Sequence, residues 1–206
     1  MSHLRPALVL LVLFTALTGL AYPFAVMGIA QLVFPAQANG SLVVQDGRIV
    51  GSDLIGQAFT SDRYLWPRPS ATSAADPTDP AKTVDAPYNA AASTGSNLGP
   101  TSSKLADGLT ASSEAWRKAG LAQPIPGDAV TTSGSGLDPH ISPAFALAQA
   151  PRIAAARNVP EGQVRQVIEA ATEGRTFGIF GESRVNVLRV NQALDRLGFQ
   201  GKRDVS

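Results

Sequence analysis

ALVLLVLFTALTGLAYPFAVMGIAQLVF, Ala7 to Phe34, contains no charged side chain. A helix needs about 20 apolar residues to cross a bilayer core, so this run is long enough to span one. The charge-free interval is wider still, from Pro6 to Gln45, with Arg5 and the terminal amine before it and Asp46 as the first charge after it. Because positive flanks tend to stay in the cytoplasm, the pattern predicts residues 1–6 inside, a span over 7–34 and residues 35–206 outside. The competing reading is a cleaved secretory signal ending at Ala36-Gln37-Ala38. Signal cores run about 7–15 residues, and the length of this run favours an uncleaved span.

Within the run, Pro23 removes a backbone donor and predicts a kink near Tyr22. Thr15, Gly19, Ala21, Ala25 and Gly28 recur at helical spacings of three or four, where small side chains let a partner helix come close.

Beyond the span the chain balances 16 basic against 16 acidic residues, which gives no basic surface for nucleic acid. There is no cysteine, so disulfides, thiolate metal sites and cysteine nucleophiles are excluded; two histidines exclude a multi-histidine cage.

SLVVQDGRIVGS, Ser41 to Ser52, places β-prone runs around Asp46-Gly47, a strong hairpin signal. Pro67 to Pro100 turns to Pro, Ser, Ala, Thr, Asn and Gly, a loop whose part from 72 to 87 reads as a flexible insertion. Leu105, Leu109, Ser112 and Trp116 share a helical face between Ser102 and Ala119, with Gly120 as the cap. Val130 to Ser133 reads as a short strand. Ser142-Pro143 starts a helix, Pro151 restarts or kinks it, and Pro160 opens another carrying Val164, Val167, Ile168 and Ala171. A last helix is expected from Arg184 to Leu197, closed by Gly198. The fold class expected is α+β: one transmembrane helix, then a small mixed domain that is helix-rich in its C-terminal half.

GSGLDPHISP, Gly134 to Pro143, gathers Ser135, Asp138, His140 and Ser142. A catalytic triad draws its members from distant segments that the fold brings together, and Pro139 interrupts this local set. Closed zinc sites need four ligands and open ones three, more than Asp138 and His140 supply. Gly134 and Gly136 free the backbone, Pro139 and Pro143 fix it, and Ser142 can cap a helix, which describes a rigid loop that presents Asp138 and His140 to a partner. No phosphate-binding G-x-x-x-x-G-K-[ST] loop and no Asp-Lys-Thr-Gly phosphorylation motif occurs. Two other functions stay open on these residues: a membrane-anchored extracytoplasmic hydrolase using Ser135 or Ser142 with His140, and a stand-alone ligand-binding domain.

The blocks GSDLIGQAF (Gly51 to Phe59), YLWPRPSA (Tyr64 to Ala71), YNAAASTGSNLGP (Tyr88 to Pro100), VTTSGSGLDPHISP (Val130 to Pro143), QAPRIAAAR (Gln149 to Arg157) and FGIFGESRVNVLRVNQAL (Phe177 to Leu194) follow the span in order. Together they resemble the KdpC family, the accessory subunit of the bacterial potassium-transporting P-type ATPase. The segment between Ala71 and Tyr88 departs from shorter members. The resemblance implies a bacterial inner-membrane complex with a channel-like potassium-translocating subunit, an ATP-hydrolysing P-type pump subunit and a small single-span subunit. ATP, magnesium and potassium would be used by that complex, with no cofactor bound by this chain alone. It also implies an assembly and catalytic helper that raises the pump subunit's affinity for ATP. The exterior domain would sit beside the external potassium entrance, with Ser96, Asn97, Ser135, Asp138, His140 and Ser142 as candidate contacts.

Overall fold

Residues 3–121 and 123–200 are described by the computed structural model, so Met1, Ser2 and residues 201–206 of the expected end segments lie outside the described residues. The apolar run is helical from Leu4 to Val33. It comprises α1 (Leu4–Ala16), a π-helical turn (Leu17–Ala21) and α2 (Tyr22–Val33). Just before Pro23 the helix widens into this π-type turn, at the place where the kink is expected, and the chain is helical on both sides. The Tyr22 N–H bonds back to the Leu17 carbonyl, a π-type step that accommodates the missing proline donor. A single turn, α3 (Pro35–Ala38), leads to the antiparallel hairpin of β1 (Leu42–Gln45) and β2 (Arg48–Ser52). Asp46 and Gly47 both adopt positive φ, 51° and 76°, the twist that a two-residue hairpin loop requires.

The chain divides into two compact units, Met1–Ser52 and Asp53–Ser206. This boundary falls after the hairpin.

In the second unit, β3 (Ser73–Ala75) pairs with β4 (Thr83–Asp85), so the expected flexible insertion carries a short hairpin. Its base is fixed: Thr72 is fully buried and its hydroxyl donates to the Ala86 carbonyl at 2.6 Å. Next come α4 (Ser103–Lys118), ended at a positive-φ Gly120 as expected, and α5 (Gly127–Val130). Val130 thus ends a helical turn and begins no strand. Trp116 at the end of α4 reaches over α5, its indole N–H donating to the Ala129 carbonyl at 2.8 Å.

The remaining elements are β5 (His140–Ile141), α6 (Pro143–Ala148), α7 (Ala150–Arg157), α8 (Glu161–Ala170), β6 (Thr172–Glu173), β7 (Arg184–Asn186) and α9 (Val187–Gln200). β7 is the centre of an antiparallel sheet ordered β5-β7-β6. Arg184 to Asn186 are strand where a helix start was expected, and α9 runs on through Gly198. The helical period of the last segment is real, but Val185 is paired on both sides by Ile141 and Thr172, and that tertiary pairing overrides it. α8 packs against α6, α7 and α9. Phe145, Ile153, Val164, Ile168, Val190 and Leu194 are fully buried between these helices and the sheet.

An irregular strand substitute completes the core. Tyr64 to Trp66 has no β partner, yet Leu65 is fully buried. Two buried amides take the place of a neighbouring strand. Asn191 accepts from the Leu65 N–H at 2.7 Å and donates to its carbonyl at 3.0 Å. Gln149 does the same for Trp66, at 2.9 and 3.0 Å. Every backbone polar group these residues bury needs such a partner.

Candidate functional site

Gly134 to Pro143 is fastened from behind at almost every residue. The Ser135 carbonyl accepts from the Thr94 N–H and the Ser93 hydroxyl, both at 3.0 Å. The Gly136 carbonyl accepts from the Ser70 hydroxyl at 2.7 Å, and the Leu137 carbonyl from the Gly56 N–H at 2.8 Å. The Pro139 carbonyl accepts from the Val187 N–H at 3.0 Å. Four distant segments therefore close on this one loop, and Gly136 allows the approach. Gly136 has φ 66° and lies against Thr72 and the Thr94 carbonyl.

Asp138 is the electrostatic centre. Its carboxylate accepts from the Arg68 guanidinium at 3.1 Å and from the His140 backbone N–H at 2.9 Å, with the His140 ring nitrogen Nδ1 at 3.6 Å. Arg68 also reaches the Thr131 and Thr132 carbonyls, tying the loop before the glycines to the same cation. Burial pushes the Asp138 carboxyl up, but the hydrogen bonds from His140 and Arg68 outweigh it and leave the group below its ordinary value. Tyr88 beside it donates to the Arg68 carbonyl at 2.8 Å; burial first, then the Asp138 charge, holds its phenol above the ordinary tyrosine range.

A depressed carboxylate stabilises the fold above its unfolded value, here near 3.8, and that contribution is lost as pH falls through the lower folded value. Asp138→Asn should therefore flatten the acid limb below about pH 4. Thermal melting of the full chain in detergent, followed from neutral pH downward, checks this; parallel acid limbs for the two proteins would contradict it.

The serines are structural in their bonding. Ser142 donates to Asp128 at 3.0 Å, its own N–H bonds the same carboxylate at 2.6 Å, and its oxygen caps α6 by accepting from the Phe145 N–H at 3.1 Å. The Ser135 oxygen accepts from the Leu137 N–H at 3.1 Å. The Ser142 hydroxyl is thus committed to Asp128 and the α6 cap, and the Ser135 oxygen to the turn of its own loop. Among the described residues, no three His, Asp or Glu side chains are placed to share a metal ion.

His140, Asp138 and Ser142 line a cleft of about 490 Å³ with Asp128, Glu182 and Arg184. Ser96 lies elsewhere, in a groove with Lys104, Thr131 and Thr132, and Asn97 beside it is exposed with φ 51°. The two sets are linked through Arg68, which bonds Thr131, Thr132 and Asp138, and through Ser93 and Thr94, which bond the Ser135 carbonyl.

Sequence reasoning missed the side chains that hold YLWPRPSA in place. Besides the two amides, Arg152 donates to the Asp62 and Tyr64 carbonyls and lies 3.9 Å over the Trp66 ring. Arg157 donates to the Arg63 and Leu194 carbonyls and to Asp195. One signal was available: Asn191 falls on the apolar face formed by Val187, Val190 and Leu194, and a buried amide there demands a bonded partner.

The family model described as "KdpC: K+-transporting ATPase, c chain" matches residues 4–196. Over 197 residues the chain is 59% identical to a protein of Methylobacterium nodulans, covering 96% of this chain and 98% of the relative. It is 59% identical to one of Methylorubrum extorquens over 94% of this chain and 96% of the relative. A protein of Bradyrhizobium diazoefficiens is 56% identical over 95% and 98%. All three relatives carry the name "Potassium-transporting ATPase KdpC subunit".

Proposed function

The chain belongs to the KdpC family, and from that premise we propose that it is a non-catalytic accessory subunit of an ATP-driven potassium-uptake complex. A single span holds it in the bacterial inner membrane, amino end inside and the main domain outside. Its partners are the channel-like potassium-translocating subunit, the ATP-hydrolysing pump subunit and a small single-span subunit. ATP, magnesium and potassium are handled by the complex.

The observation that carries this reading is the 30-residue, mostly apolar helix Leu4–Val33, which has no buried residue among the described ones. Lipid and neighbouring helices remain to cover it. Nothing lies within 4 Å of where a side chain on Gly19 or Gly28 would stand, which supports close approach by a partner helix along Thr15, Gly19, Ala21, Ala25 and Gly28. Outside, Ser96 and Asn97 on one side of Arg68 and Asp138 and His140 on the other would rim the external potassium entrance. Ser135 and Ser142 hold that rim in shape. Because ATP is cytoplasmic, support for its binding passes through coupled subunit conformations, without contact from the exterior domain.

The absence of native cysteine gives a direct test. Ser96→Cys, at an exposed position, should react with a membrane-impermeant maleimide on intact cells when the chain is expressed alone. In the assembled ATPase the reaction should slow at least fivefold. Labelling only after permeabilisation would overturn the orientation, and equal rates in both states would remove Ser96 from the interface.

A further inference from the structure

From Glu173 to Arg184 every residue is exposed, so this stretch stands off the domain as an arm. Its tip is the most apolar part. Phe177, Ile179 and Phe180 are 88%, 72% and 66% exposed. Three such side chains offer on the order of 400 Å² of apolar surface, the size at which an exposed patch marks an interaction site.

The arm is shaped in advance. Thr176 and Phe180 exchange backbone hydrogen bonds at 2.9 and 3.0 Å, and the turn between them carries Phe177 at φ 54° and Gly178 at φ 74°. A bulky aromatic residue seldom adopts positive φ, and here that conformation sets the ring at the apex. Below the tip, Arg175 bonds Glu182 through both carboxylate oxygens, at 3.0 and 2.8 Å, and Arg184 bonds Glu173. An apolar centre with a charged rim is the anatomy of a protein interface.

The rim also discriminates between occupants. It holds two arginines and two glutamates paired with each other, and Glu182 is 82% exposed. A segment that inserts into an anionic lipid surface presents a basic rim, and this arm has no net positive charge to offer. A fixed ring and a rim of alternating sign suit a shaped pocket that carries both signs of charge.

We propose that the arm's tip docks into an apolar pocket on the external surface of another subunit of the ATPase, its charged rim meeting complementary charges there. This rests on the membership of the complex proposed above. Phe177, Ile179 and Phe180 line neither the Ser96 groove nor the His140 cleft, whereas Glu182 and Arg184 of the rim border the His140 cleft as well.

The test uses the full chain co-expressed with the other ATPase subunits. A photoreactive benzoylphenylalanine at position 177 should give an adduct with another subunit on irradiation. The double substitution Phe177→Ser and Phe180→Ser should lower retention of this chain on the detergent-purified ATPase at least tenfold. It should leave the melting temperature of the isolated full chain unchanged, since neither ring is in the core. Adducts to lipid, adducts to a second copy, no adduct, or undiminished retention would each overturn the assignment. If the unaltered chain itself is not retained, the accessory-subunit reading falls; if both proteins are retained equally, only the arm assignment does.

Discussion

Asn191→Leu should lower the stability of the fold by about 2–6 kcal/mol, since two buried backbone groups lose their partners at about 1–3 kcal/mol each. Leucine matches the apolar surroundings set by Val187, Val190 and Leu194, so the loss is one of polar satisfaction more than of volume. The orphaned groups would be the N–H and carbonyl of Leu65, which no strand is available to take over. Urea unfolding of the full chain reads this directly through the indoles. Trp66 follows Leu65 in sequence and packs tilted against Trp116 with ring centres 5.3 Å apart. A free-energy change below about 0.5 kcal/mol, the range of a neutral surface substitution, would show that water or a local shift satisfies Leu65 and that the amide is dispensable.

Gly136→Ala should be nearly as damaging, at about 2–4 kcal/mol. Left-handed backbone disfavours alanine by about 1 kcal/mol, and forcing a group into filled space typically costs about 1–3 kcal/mol. At φ 66° the added carbon would stand 2.6 Å from both the Thr72 methyl and the Thr94 carbonyl. Thr72 is fully buried and the Thr94 segment is bonded to Ser135, so neither can move freely. The matched control is Gly134→Ala, two residues earlier, where no atom lies within 4 Å of the added carbon. Melting temperatures that fall for Gly136→Ala and hold for Gly134→Ala would separate close approach from glycine content. Equal shifts would refute the steric account.

How much of this was legible follows from how local each signal is. The long apolar helix, the Asp46-Gly47 hairpin, the Gly120 cap and the Ser142 cap each depend on residues within one or two turns, and the structure contains all four. β7 was illegible because Val185 is held between Ile141 and Thr172, neither of which is near it in sequence. The hairpin at 73–85 hid in a composition of small and turn-forming residues because its base is fixed between Thr72 and Ala86 by one hydroxyl and one backbone hydrogen bond. At the candidate site, the glycines and prolines of GSGLDPHISP correctly signalled a shaped loop. They could not reveal Arg68, whose link to Asp138 spans 70 residues. The exposed tip at Phe177 to Phe180 was the opposite case: its apolar letters are plain in the sequence, but only the fold shows that they do not enter the core.

The amide that substitutes for a strand at Leu65 also sets a schedule for biosynthesis. Its donor and acceptor lie 126 residues downstream, so at about 5–20 residues per second the Leu65 segment waits roughly 6–25 seconds for its partner to be made. Throughout that interval its buried face has no cover, and a chain halted before Asn191 cannot complete the core however well its earlier helices form. The core is thus completed only once α9 has been made. A partner or protease that samples the Tyr64–Trp66 segment would be distinguishing finished from unfinished molecules.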